Sequence, residues 1–122
     1  MTALDLVGLA PFALLALDER RRVSAANPEA QAFLGHSERA MYRKPLSEIL
    51  FHDSPVFGLI DKAMRLKGDV TAHGIPINGP SLRKARVLDL RLRPIHDGSI
   101  VIGMTEASDT AVVNNNPAGV AA

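Results

Sequence analysis

Four histidines, a scatter of carboxylates and no cysteine are the groups in this sequence that can do chemistry. The histidines are His36, His52, His73 and His96. No two of them stand at the i, i+4 spacing that lets one helix face grip a metal ion. Without cysteine there is no disulfide, no thiolate metal site and no cysteine nucleophile. Glu38, Glu48, Asp53 and Asp61 each stand where a helix cap or a solvated helix face puts a carboxylate. A general acid–base pair needs burial to separate its pKa values, and nothing in the sequence signals it. The glycines form neither GxGxxG nor a P-loop, so nucleotide binding has no support. His36-Ser37-Glu38 sets a histidine before an acid, as a phosphoacceptor site does, but without the long hairpin helix such a site occupies. An enzyme is therefore not expected.

The elements around these groups follow from periodicity. Residues 2–8, TALDLVG, can make one or two helical turns, with Pro11 ending any continuation. Residues 12–18, FALLALD, are an apolar run of strand length, as a buried strand requires. Asp18 to Arg21 reads as a polar turn, and the run Arg20-Arg21-Arg22 as solvated. Arg22 to Ala26 is long enough for a second strand. Asn27-Pro28 then starts a helix. The Asn27 side chain can accept from an early helix N–H, and Pro28 at the first position gives up a donor with no partner. Gly35 stops that helix. Ser37 starts a short turn, and Pro45 to Leu50 a third short helix. Residues 53–67 are the longest helix candidate, capped by Asp53 or Ser54 and terminated by Gly68. The period then changes to two. Residues 69–78 carry Val70, Ala72, Ile75 and Ile77, and Leu88, Leu90 and Leu92 alternate with Asp89, Arg91 and Arg93. Asn78-Gly79-Pro80-Ser81 and Asp97-Gly98 are turn signals, and Ile100 to Thr105 is the last strand. This order predicts an α+β domain, an antiparallel sheet with helices on one face.

Bulk properties set the outer limits. The chain has 122 residues, enough for one domain, and 47% are apolar, enough for a modest core. A net charge of +1 gives no general argument for nucleic acid or an anionic membrane as partner. Asp5, Gly8 and Pro11 interrupt the apolar stretch from Leu4 to Leu17, which falls short of the roughly 20 residues of a membrane helix. The first residues lack the positive charge of a secretory signal. A soluble, cytoplasmic protein is expected. Residues 107–122 have little periodicity and read as a flexible tail.

From residue 10 to 106 the chain resembles a PAS domain. The residues that carry the likeness are "ALLALDERRRVSAAN", the helix start Asn27-Pro28-Glu29-Ala30, "FLGHS" at 33–37 and "KPLSEIL" at 44–50. Among PAS domains it looks most like the amino-terminal sensor domain of NtrB-type nitrogen-regulation histidine kinases. There, a helix like "DSPVFGLIDKAMRLKG" leads into a strand like "DVTAHGIPI". The resemblance implies a PAS fold: a five-stranded antiparallel sheet with short helices on one face. It implies a regulatory, signal-relaying and dimerising module of a two-component kinase. The kinase core would be one partner and a PII-type regulator a candidate second. It also implies a flanking helix toward the kinase core, which the Asn-rich stretch after Glu106 does not provide.

Some PAS domains hold haem through a histidine on the long helix. Residues 53–67 contain none, and His52 sits just outside. Flavin-photosensing PAS domains need a cysteine, which this chain lacks. No cofactor is expected. Leu15, Phe33, Ile49, Phe57, Leu90 and Ile102 are candidates to line either a ligand pocket or a packed core. The packed core is the preferred reading, because no polar anchor stands among them. A sensor holding a small ligand or haem in its core is the alternative. Residues 1–9 are taken as a flanking helix. Leu4, Leu6, Val7 and Leu9 there are the candidate dimer interface, since so short a stretch cannot bury them by itself.

Overall fold

The computed structural model describes residues 12–82 and 85–107. The segment carrying Leu4, Leu6, Val7 and Leu9, and the tail from residue 108 onward, lie outside the described residues. The sheet has five strands: β1 (Ala13–Leu17), β2 (Val23–Ala26), β3 (Val70–Ile77), β4 (Arg86–Pro94) and β5 (Ile100–Glu106). Their order across the sheet is β2-β1-β5-β4-β3, and every pair is antiparallel. Between β2 and β3 run α1 (Pro28–Leu34), α2 (Glu38–Met41), a single 3₁₀ turn (Leu46–Glu48) and α3 (Pro55–Leu66).

β1 lies inside the sheet, and all five of its residues are buried. That is why its sequence is continuously apolar rather than alternating. Ala13, Leu15 and Leu17 face the main core, while Leu14 and Ala16 join Ala25 and Val101 in a smaller apolar cluster. β4 behaves differently. Leu88, Leu90 and Leu92 are buried in the main core, while Val87, Arg91 and Arg93 are exposed. β3 is an edge strand, which is where Pro76 can be tolerated. Its register with β4 slips between Ala72 and Ile75, where Gly74 takes a left-handed φ of 65°. The spacing of Val70, Ala72, Ile75 and Ile77 already contains that slip, since two residues stand between Ala72 and Ile75 where a regular strand has one.

The helices start where their caps put them. Ser37 accepts from the Ala40 N–H, and Ser54 caps α3 by accepting from the Val56 N–H, with Pro55 at the first turn. α3 buries Val56, Ile60 and Ala63 and packs on β3 and β4. Burying a Val or Ile side chain contributes roughly 1.5–3 kcal/mol, far more than the short helix gains from propensity alone. The end of α3 departs from the sequence reading. Lys67, not Gly68, adopts the left-handed conformation that closes the helix, at φ 55°. A Gly at the next position leads the chain into β3 instead.

Candidate functional site

Three places hold the residues that the sequence singles out: the junction at Asn27, the space between helices and sheet, and the outer face of the sheet. At the junction Asn27 is 6% exposed. Its Oδ1 accepts from the Ala30 N–H at 3.1 Å, the cap expected from the sequence. The same oxygen accepts from the Leu14 N–H at 3.0 Å, and Nδ2 donates to the Phe12 carbonyl at 2.6 Å. Asn27 therefore fastens the start of α1 to β1 as well as capping it. The end of β2 is held in the same way. The Ala26 N–H donates to Glu38 Oε2 at 2.8 Å, and its carbonyl accepts from Gln31 Nε2 at 2.9 Å. Glu38 thus has a structural partner. Glu48, Asp53 and Asp61 are exposed.

Between the helices and the inner sheet face lies a void of about 10 Å³. Leu15, Leu34, Leu46, Leu50, Leu90 and Ile102 are among its apolar walls. A void of that size is about one water molecule's probe sphere, and a water there would have no polar partner. Of the residues expected to line a pocket or core, Leu15, Leu90 and Ile102 surround this void and Ile49 is buried in the same cluster. Phe33 and Phe57 are half-buried and pack against its edge. That void is well below the several hundred cubic ångströms of a small-molecule site.

The outer face carries a shallow open hollow of about 370 Å³, bordered by Phe12, Thr71, His73, Asp89, Arg91 and Gly103. A Cβ on Gly103 would meet the Leu14 and Phe12 side chains and the Arg91 carbonyl at ordinary contact distance. His73 Nδ1 is 3.6 Å from Asp89 Oδ1, which also accepts from the Gly74 N–H at 2.9 Å. The other histidines stand apart. His52 and His96 are exposed, and the half-buried His36 has a buried Nε2 without a partner. Among the described residues no three of His, Cys, Asp and Glu gather as a metal site requires.

Two carboxyls are held below their ordinary value of 3.8. The Arg93 guanidinium does so for Asp69, donating from Nε at 3.0 Å and from Nη2 at 2.7 Å, with its charge and that of Arg91 adding to the effect. Ser99 does so for Asp97, through its hydroxyl and its backbone N–H. Both are surface devices that fix a strand end and a hairpin turn.

The family model that matches this chain is the PAS fold, over residues 5–105. The sensory histidine kinase/phosphatase NtrB of Rhizobium meliloti (strain 1021) is 29% identical over 97 residues, which are 78% of this chain and 25% of that protein. The chain thus corresponds to about a quarter of that relative's length. Among solved structures, the PAS domain of nitrogen regulation protein NR(II) from Vibrio parahaemolyticus superposes with a TM-score of 0.69 at 17% identity, covering 87% of this chain and 98% of that one. The Rhodobacter sphaeroides LOV protein superposes with a TM-score of 0.70 at 14% identity, covering 90% and 67%. At those identities the two structures speak for the fold. Among the described residues no helix is long and apolar enough to cross a membrane.

Proposed function

This chain belongs to the PAS family, a family of sensory folds, and we propose that it is the regulatory domain of a nitrogen-regulation-like histidine kinase. The observation that carries this reading is the similarity to NtrB across most of the folded domain. In this reading the domain does no chemistry itself. It relays state to a kinase core in the cytoplasm, through self-association and through the end of β5 at Met104–Glu106. A PII-type regulator is a candidate partner of the whole assembly. The filled core supports relay over ligand capture, because a haem or metabolite would have to displace the helices from the sheet.

Self-association is assigned to Leu4, Leu6, Val7 and Leu9. A twofold, self-complementary interface is the expected geometry. Sedimentation equilibrium across a concentration series should show a dimer for the full chain, and a folded monomer after deletion of residues 1–9. Native mass spectrometry of the same sample should return the mass of the polypeptide with nothing retained. A full chain monomeric at high micromolar concentration, or a deletion that dimerises equally well, would overturn the dimer. A stoichiometric retained small molecule would favour the ligand-binding alternative.

A further inference from the structure

We propose that the β1–β2 turn and the stretch after α2 that pairs alongside it form an electropositive docking surface for an acidic protein segment, one rich in Asp and Glu side chains. The backbone brings two basic stretches together. The Val23 N–H donates to the Lys44 carbonyl at 2.9 Å, the Arg43 N–H to the Val23 carbonyl at 2.8 Å, and the Leu46 N–H to the Arg21 carbonyl at 3.0 Å. Arg22 pairs with Pro45 in an isolated bridge. Residues 21–23 and 43–46 are thus zipped side by side, which gathers Arg21, Arg22, Arg43 and Lys44, with Arg20 in the adjoining turn and Arg39 on α2 just before.

These cations are spared the pairing that the sheet's arginines have. On the sheet, Arg86 pairs with Glu106, and Arg91 and Arg93 with Asp69. Among the described residues, no ion pair and no side-chain hydrogen bond engages the cations of the two loops. Asp18 Oδ1 accepts from the Arg20 and Arg22 N–H groups at 2.8 and 3.0 Å, and Glu38 holds Ala26. Arg65 and Lys67 near the end of α3, also without an ion pair among the described residues, have a different explanation, since the helix dipole favours positive charge there.

The backbone carries a second mark. Arg21 and Arg43 hold left-handed φ values of 64° and 66°, two of the three positive φ values of non-glycine residues described. Bulky side chains enter that region at a cost, and positions that keep them there cluster at working surfaces. Between the loops lies an open cleft of about 280 Å³, bordered by Asp18, Glu19, Arg20, Arg22, Tyr42 and Arg43.

The composition of the cleft selects the kind of anion. Tyr42 is 51% exposed, with the Arg43 guanidinium 5.5 Å from the centre of its ring. Tyr and Arg are the residues that dominate protein–protein hot spots. Arginine forks match carboxylates in a bidentate way. Glu19 and Asp18 set negative charge among the arginines, which disfavours a continuous phosphate chain but leaves room for a peptide whose carboxylates are spaced. A net charge of +1 also lacks the broad field that draws nucleic acid or an anionic bilayer.

This inference stands apart from the relay reading, because it concerns the face around β2 and not residues 1–9. The test measures fluorescence anisotropy of a labelled Glu/Asp-rich peptide against the full chain at low salt. An oligothymidylate and phosphatidylserine vesicles serve as the other anions. Arg20→Glu/Arg22→Glu/Arg43→Glu should weaken peptide binding by about tenfold or more, and ~0.15 M salt should weaken it for the parent. Lys62→Glu/Arg65→Glu/Lys67→Glu makes the same charge change on α3 and should alter binding by less than about twofold if the loops are the site. Arg20→Gln/Arg22→Gln, a milder change, should give an intermediate loss with the urea midpoint unchanged. No peptide binding at low salt, tighter binding of oligothymidylate or vesicles than of peptide, or an equal loss in the α3 variant would each overturn the proposal.

Discussion

At the scale of single residues, Asn27 shows how one side chain sets the angle between strand and helix. Its oxygen serves two N–H groups, Ala30 in the helix and Leu14 in the sheet, and its amide serves Phe12. Loss of a cap alone costs about 1 kcal/mol. Leaving the buried Leu14 N–H unpaired adds roughly 1–3 kcal/mol. Asn27→Ala should therefore lose about 3 kcal/mol in urea unfolding, and Asn27→Ser, which can still cap, about 1 kcal/mol less. An Ala variant that loses only a cap's worth would refute the attachment to β1. Two glycines give an opposed pair. A Cβ on Gly79 would overlap the Ile49 carbonyl oxygen, whereas one on Gly58, in the middle of α3, meets nothing within 4 Å. Gly79→Ala should cost about 2–3 kcal/mol, because the obstacle is backbone and cannot rotate away. Gly58→Ala should stabilise by about 0.5–1 kcal/mol, since it removes unfolded-state freedom from a helix. Equal effects of the two on the thermal midpoint would show that the 78–79 turn does not press on Ile49.

At the scale of elements, what the sequence reveals is what local physics decides. The alternation of Leu88, Leu90 and Leu92 marks a strand with one wet face, and β4 has it. The unbroken run around Leu15 marks a strand covered on both sides, and β1 is buried throughout. Helix starts at Asn27, Ser37 and Ser54 are legible because a cap acts within three residues. The end of α3 falls one residue before its sequence signal, since Gly68 is the better left-handed residue but the chain turns at Lys67. Contacts between distant segments leave no local trace. Asn27 reaches Phe12 and Leu14 across the sheet, and Arg93 reaches Asp69 across the edge pair. The pairing of 21–23 with 43–45, which assembles the basic surface, is of the same kind. The Asp69 and Asp97 partnerships also give the elements a pH signature. Both carboxyls have folded values depressed below 3.8, so their contribution is present above about that pH and is lost as acid protonates them in the folded state. Asp69→Asn and Asp97→Asn should flatten the decline of the urea midpoint below pH ~4 and leave its course near neutrality unchanged. An unaltered acid limb in the double variant would show that these pairs do not couple to folding.

At the scale of the whole molecule, the sequence leaves open whether the helices enclose a pocket or a core, because both need the same apolar residues. Leu15, Leu90 and Ile102 can line either, and only side-chain packing decides the volume left between them. The void that Leu15, Leu90 and Ile102 border is about 10 Å³, which favours close packing of sheet against helices. The consequence is mechanical. In the proposed relay, a filled interior would pass a displacement at the helices on to the sheet, where β5 lies between β1 and β4. A hollow interior would instead absorb the displacement and wait for a ligand to transmit it. Leu90 is the position at which these two cases differ most, since it is 2% exposed, borders the void and sits in a strand beside β5. In a filled core Leu90→Ala loses the transfer free energy of the side chain and leaves a cavity the surroundings cannot close, at a cost of about 3–4 kcal/mol. In an already hollow one the truncated side chain would merely enlarge an existing space, and the loss would fall toward the transfer value, about 2 kcal/mol. The engineered void is apolar and should remain dry, so small apolar solutes such as benzene should raise the thermal midpoint of Leu90→Ala and leave that of the parent unchanged. If benzene stabilised the parent as much as the variant, a binding cavity would already exist between helices and sheet, and the solid-core account of relay would be wrong.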